Sequence, residues 1–268
     1  IQPNAEWKTL WDENALEDKY SLHTKLEHRF TYNSSIEAGV KYDLYNVTYL
    51  EKEAFSDERG LFSNVDEKGF FSLARAYAQY RHNITSKLLL TGGVHGMYLH
   101  LNKTYAVEPR LGLRYTPAPK HTLALAGGLY SQMIPRSFYF IRTLTPQGEI
   151  EYSNKMLGFM KSAHADVSYD WAFAPDWHLK VETYYQWLYN IPVRKDPDAT
   201  YTMLQIGGAG DNVIMREGNL VNKGTGQNYG AEFTIEKFMS KNYYLLFNST
   251  IYRSTYTNGF NKKEWSTI

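Results

Sequence analysis

His164 and Asp166 stand two residues apart, so in a strand they share one face. A histidine beside a carboxylate is the elementary acid–base pair, but catalysis also needs a nucleophile or substrate site within reach. The pair lies in a run where every second residue is polar, and that run reads as a polar wall. His95 and Met97 also share a face, with His100 nearby. A metal site needs more ligands than these at suitable distances. No catalytic residue, metal or cofactor is assigned. Gly207-Gly208-Ala209-Gly210 and the glycine-rich run 224–230 lack the spacing and following helix of a phosphate loop, and loop flexibility explains them better. Asn33, Asn46, Asn83, Asn102 and Asn248 open N-x-S/T triplets, which chance and turn chemistry account for. Recognition chemistry is densest in residues 134–156. Arg136, Phe138, Tyr139 and Arg142 there combine guanidinium groups with rings, which suits an anionic or ring-bearing ligand. The competing reading is a loop packed on its neighbours.

The elements that carry these residues are strands. Along 177–189, Trp177, Leu179, Val181, Thr183, Tyr185, Trp187 and Tyr189 alternate with His178, Lys180, Glu182, Tyr184 and Gln186. Side chains alternate across a strand, so one face is apolar with aromatics at both ends, and the other is polar. Aromatic ends flanking an aliphatic middle are what two membrane interfaces select.

The same unit repeats. Strands are expected at 20–32, 36–49, 70–81, 87–101, 105–116, 121–133, 158–173, 177–189, 227–237 and 242–257. Asn-, Ser- or Pro-containing turns join them in pairs. Between the pairs lie long connections at 51–68, 134–156 and 190–226, with loop-like ends at 1–19 and 258–268. Most strands are roughly a dozen residues, against the usual five or six of globular proteins. Short turns at one end and long loops at the other form the pattern of an outer-membrane barrel.

Composition agrees with this reading. The chain has 268 residues, 16% of them aromatic with 23 Tyr, both high. Tyr suits strands and membrane interfaces alike. No run of about 18 apolar residues offers a transmembrane helix, which leaves a barrel open. A net charge of +1 gives no support for a nucleic-acid partner. There is no Cys, hence no disulfide and no thiolate chemistry.

Three passages carry a resemblance. Glu108-Pro109-Arg110-Leu111-Gly112-Leu113-Arg114-Tyr115 before a Pro-containing turn is similar to a barrel strand of TonB-dependent outer-membrane receptors. So is Leu188-Tyr189-Asn190-Ile191-Pro192-Val193 leading into a long loop. The most specific is Asn222-Lys223-Gly224-Thr225-Gly226-Gln227-Asn228-Tyr229-Gly230-Ala231-Glu232-Phe233, which resembles the N-x-G-x-G-x-x-Y-G-x-E strand opening found late in those barrels. In it, Gly224 and Gly226 are expected to permit tight or left-handed backbone. Gly230 is expected to leave room in the lumen.

The expected fold is all-β: long antiparallel up-and-down strands of a transmembrane β-barrel, about ten strands of a larger barrel. Residues 1–268 would form a segment of one barrel domain in the bacterial outer membrane, without a plug. Glu108, Arg110, Arg114, Lys180, Glu182 and Glu232 would face the lumen. Trp177, Tyr185, Trp187, Tyr189 and Tyr229 would meet the lipid interfaces. The resemblance implies uptake of a nutrient or metal chelate. It also implies three partners besides lipid: a plug domain, the remaining strands of the parent chain, and a TonB-type energy-coupling protein. Two other readings stand beside it. One is a self-contained ten-strand barrel (porin, adhesin or membrane protease); the other is a soluble β-sandwich module binding carbohydrate.

Overall fold

The computed structural model describes residues 9–54, 61–196, 199, 201–205, 217–257 and 263–265. In chain order the strands are β1 (Trp11–Thr31), β2 (Ser34–Ala54), β3 (Leu61–Thr85), β4 (Leu88–Leu99), β5 (Thr104–Ala118) and β6 (His121–Gln132). A two-stranded ribbon follows, β7 (Thr143–Leu144) with β8 (Ile150–Glu151). Then come β9 (Met160–Ala174), β10 (Trp177–Arg194), β11 (Leu220–Ser240), β12 (Tyr243–Thr257) and the short β13 (Lys263–Trp265). All except the ribbon form one antiparallel sheet in the order β1-β2-β3-β4-β5-β6-β9-β10-β11-β12-β13. Its neighbours in space are neighbours in sequence, which is up-and-down topology. β1 and β13 end the order, so the sheet is open among the described residues.

Five hairpins close at one end, each through two residues: 32–33, 86–87, 119–120, 175–176 and 241–242. At the last of these, Lys241 and Asn242 both have positive φ, 51° and 67°. That is the primed turn whose twist matches a two-residue hairpin.

The strands run further at the loop end than expected. β1 begins at Trp11, and most of 51–68 is strand, since β2 reaches Ala54 and β3 starts at Leu61. The ladder continues through Trp11↔Glu53 and Glu51↔Val65. Here polar residues occupy both faces, so the alternation that marks a half-buried strand vanishes while backbone pairing persists. In the same way, residues 190–194 and 220–226 belong to β10 and β11. The Gly207–Gly210 stretch lies outside the described residues.

Residues paired across an antiparallel ladder point to one side, so register carries each face across the sheet. One such row is Leu22–Tyr42–Ala74–Tyr98–Tyr105. Its face also carries Val94, Val107, Leu111, Leu125, Val167, Phe233 and Ile251, all exposed. No second large sheet covers it among the described residues. The opposite face carries Arg75, Glu108, Arg110, Asp166, Glu182 and Glu232. From Trp177 to Trp187 the apolar face of β10 climbs ~33 Å along the strand.

Candidate functional site

The chain's apolar core lies on the polar face, at the loop end. There the β6–β9 connection folds back onto the sheet. Ile134, Phe138, Tyr139, Phe140, Ile141, Leu157 and Phe159 from this connection pack with Tyr45, Val47, Tyr49, Phe71, Leu73 and Leu99 of the sheet. A short 3-10 turn, Arg136–Phe140, carries the central rings. Phe140 meets the rings of Phe71 and Tyr49 at 5.9 and 6.0 Å, and Tyr45 stacks on Phe71 at 5.0 Å. The face this segment covers is the polar one.

Four asparagines fasten the returning strand of this loop. The buried Asn102 donates through Nδ2 to the carbonyls of Lys155 (3.0 Å) and Leu157 (2.7 Å), while its Oδ1 accepts from Thr104 N (3.2 Å) and Thr104 Oγ1 (2.7 Å). Asn154, fully buried, donates to the Glu217 carbonyl at 2.8 Å and accepts from Leu220 N at 3.0 Å. Asn190, at φ 60°, sits in a bulge of β10 and donates to the Phe159 carbonyl at 2.6 Å. Asn222 accepts from Gly158 N at 2.8 Å and donates to the Asn190 carbonyl at 2.9 Å. An amide offers both donors and an acceptor, so each Asn satisfies backbone that no ladder reaches. Two of the passages carrying the resemblance thus meet in space, through Asn190 and Asn222.

The glycines of the third passage work differently from expectation. Neither Gly224 nor Gly226 has positive φ; both lie in β11. Their missing side chains make room: an added Cβ would stand 2.5 Å from Val193 Cγ1 at Gly224, and 2.8 Å from Leu204 Cδ1 at Gly226. Gly230 pairs with Tyr184, whose hydroxyl would lie 2.9 Å from a Cβ there. Gly39 pairs with Tyr77 in the same manner, at 2.7 Å from Cε1. These glycines are seats for a neighbouring side chain, not hinges.

The ligand-loop candidates lie within this assembly. Phe138 and Tyr139 are fully buried, and burial pushes the Tyr139 phenol well above its usual range. Arg136 donates from Nε to Glu17 Oε2 at 2.6 Å, with its guanidinium 5.1 Å from the Tyr45 ring centroid. Arg142 lies 3.5 Å from Asp66. The large hydrophobic side chains that the connection exposes are Leu144, Ile150, Tyr152 and Met156, beside the exposed Glu149, Glu151 and Lys155.

Along the polar face, the buried Glu108 receives Arg110 Nη2 at 2.6 Å and stands 2.9 Å from His95 Nδ1. Arg110 continues over Tyr130 (4.3 Å to the centroid), whose ring meets His164 at 4.5 Å. Its path crosses Gly128, where a Cβ would approach Arg110 Cγ to 2.9 Å. His164 bonds Ser162 Oγ through Nε2 at 2.7 Å. Asp43, fully buried, accepts from Ser21 at 2.5 Å and pairs with Arg75, with Lys19 and Lys41 at 3.8 Å. Lys180 pairs with Glu182 at 2.8 Å; Glu182 and Glu232 sit side by side in register, and Arg114 pairs with Ala124 in the ladder on the same polar face. On the apolar face, Tyr185 and Tyr229 stack at 6.4 Å and Trp187 and Tyr189 at 5.0 Å; Trp177 lies 5.9 Å from Phe173 at the turn end. Among the described residues no group of three or more His, Asp or Glu could hold a metal.

No protein-family model matches the chain, and neither does any curated protein. Solved structures do. The FrpB iron transporter of Neisseria meningitidis aligns over 95% of this chain and 39% of its own at a TM-score of 0.64 and 10% identity. The ferric enterobactin receptor PfeA of Pseudomonas aeruginosa aligns over 95% and 40% at 0.65 and 12%. The RagAB peptide importer aligns over 96% and 31% at 0.59 and 10%. The fold is that of a TonB-dependent receptor barrel. The chain spans about two fifths of the FrpB and PfeA chains, so it matches a part of that barrel, with the strands in sequential order.

Proposed function

We propose that the chain is a wall segment of an outer-membrane receptor that imports a nutrient or metal chelate. The observation that carries this is the single long-stranded sheet itself. One face is apolar and covered by no second large sheet among the described residues, the other is polar, and the sheet superposes on import receptors along nearly its whole length. Trp177, Tyr185, Trp187, Tyr189 and Tyr229 then stand at the lipid interfaces, and Glu108, Arg110, Arg114, Lys180, Glu182 and Glu232 line the lumen. A plug domain, further strands of the parent chain and a TonB-type energy-coupling protein complete the machine. Catalysis has no part in this reading.

The solved relatives carry iron, ferric enterobactin and peptide, so the fold leaves the cargo open. The inward-folded β6–β9 connection supports a role in shaping the vestibule. Arg136, Phe138, Tyr139 and Arg142 act by holding it, and cargo meets the exposed Tyr152 and Met156.

The test is uptake by cells expressing the intact protein, offered ferric chelates, copper and peptides in turn. One class should accumulate, and accumulation should cease when the inner-membrane proton gradient is dissipated. Recovery of the protein in a soluble fraction without detergent would refute the reading.

A further inference from the structure

The arginines of the polar face differ along the strands. Arg75 and Arg110, midway along, have carboxylates, in Asp43 and Glu108. Toward the turn end, Arg29, Arg81 and Arg114 have no ion-pair or hydrogen-bond partner among the described residues. Two of these three stand close together. The ladder sets Arg29 and Arg81 on either side of Ser35, one strand away in each direction. Their Cα atoms are therefore roughly 10 Å apart. Two cations at that spacing repel, and a counter-charge between them would relieve it.

A polar pocket of about 230 Å³ opens here, and both arginines line it with Ser35, Asn33, Asn83 and Glu27. Its walls are fixed. Thr31 Oγ1 and Ser34 Oγ bond each other at 2.9 Å, and Thr31 Oγ1 accepts from Asn33 N at 3.2 Å. Asn83 N donates to the Asn33 carbonyl at 2.8 Å, which ties β3 to the β1–β2 turn. The Ser35 hydroxyl and the side-chain amides of Asn33 and Asn83 have no partner among the described residues. Glu27 is the pocket's carboxylate. It forms no ion pair with either arginine, and it stands opposite Glu37, which Lys25 and Tyr77 hold. Two guanidinium groups against one carboxylate leave the pocket positive. A single guanidinium fork already satisfies the two oxygens of a carboxylate. Two forks, a hydroxyl and two amides around one pocket fit the larger set of accepting oxygens on a phosphoryl group.

We infer that this pocket binds a phosphoryl group between Arg29 and Arg81, supplied by inorganic phosphate or by a phosphate monoester. The inference stands on the pocket and does not depend on the import reading. The test is calorimetric titration of the intact protein, purified in phosphate-free detergent solution, with inorganic phosphate, glycerol 3-phosphate and acetate in separate arms. One phosphate or glycerol 3-phosphate binds per chain, and the tighter of the two names the source. Acetate binds at least about tenfold more weakly. Arg29→Gln and Arg81→Gln each weaken binding by about tenfold. Arg81→Lys, which keeps the charge and loses the fork, weakens it less. Glu27→Gln tightens it. Lys41→Gln, which removes a cation of the same face outside the pocket, leaves it unchanged. Both arginines are exposed, so their variants unfold at the wild-type temperature. Absence of binding to the wild type, acetate binding as tightly as phosphate, or equal weakening by Lys41→Gln overturns the inference.

Discussion

Glycine means two different things in this sheet, and the difference is measurable. At Gly230 an added methyl would stand 2.7 Å from the Ile251 carbonyl oxygen and 2.9 Å from the Tyr184 hydroxyl. Gly230→Ala should therefore cost roughly 1–3 kcal/mol, as overpacking does. At Gly96 a Cβ would meet only carbonyl oxygens at 3.8 and 3.9 Å, ordinary contacts, and φ is not positive. Gly96→Ala should be neutral or slightly stabilising, by up to about 1 kcal/mol, since alanine restricts the unfolded chain. Urea titration of the reconstituted intact protein compares them; equal effects would refute the distinction. The clamp asparagines make a second residue-scale prediction. Asn222→Ala leaves Gly158 N and the Asn190 carbonyl without partners, at about 1–3 kcal/mol. The loss should be local: hydrogen exchange should rise at residues 154–159 and stay unchanged at the centre of β10. These roles were hidden in the sequence because neither register nor the return path of the loop can be read from composition. Asn102 was visible only as part of an N-x-T triplet. Asn190 left a trace, since asparagine is the residue that tolerates left-handed backbone best after glycine.

At the scale of elements, alternation located the long strands but stopped short at the loop end. It reports which face is buried, not which backbone groups are paired, so it fades where β1, β2 and β3 rise past the apolar band. The turns were easier, because Asn, Ser and Pro have local conformational reasons to be there. The β11–β12 turn gives a sharp test. Lys241 and Asn242 both need positive φ, so Lys241-Asn242 replaced by Asn-Gly should stabilise the hairpin by a few tenths to about 1 kcal/mol. Lys241→Val should destabilise it, and the reverse order in thermal unfolding would contradict the turn geometry. The β6–β9 connection shows where sequence reading ended. Its rings and guanidinium groups suggested ligand contacts, and the structure gives them to the core and to ion pairs with Glu17 and Asp66. A ring serves a core as well as a ligand, and only the return path of the chain separates the two uses.

For the whole molecule, the central claim is that one face of this sheet meets lipid and the other meets water. A sandwich would bury the apolar face against a second sheet, and a soluble open sheet would wet both. The absence of cysteine from the chain makes the question accessible. Single cysteines placed along β10 in the intact, reconstituted protein can be probed with a membrane-impermeant maleimide and with a lipid-soluble one. Residues 179, 181 and 183 should react only with the lipid-soluble reagent. Residues 180 and 182 should react with the aqueous reagent wherever the lumen is wet, and never with the lipid-soluble one alone. A strict alternation with period two is the result this account predicts; uniform labelling of all five positions, or protection of 179, 181 and 183 from both reagents, would contradict it.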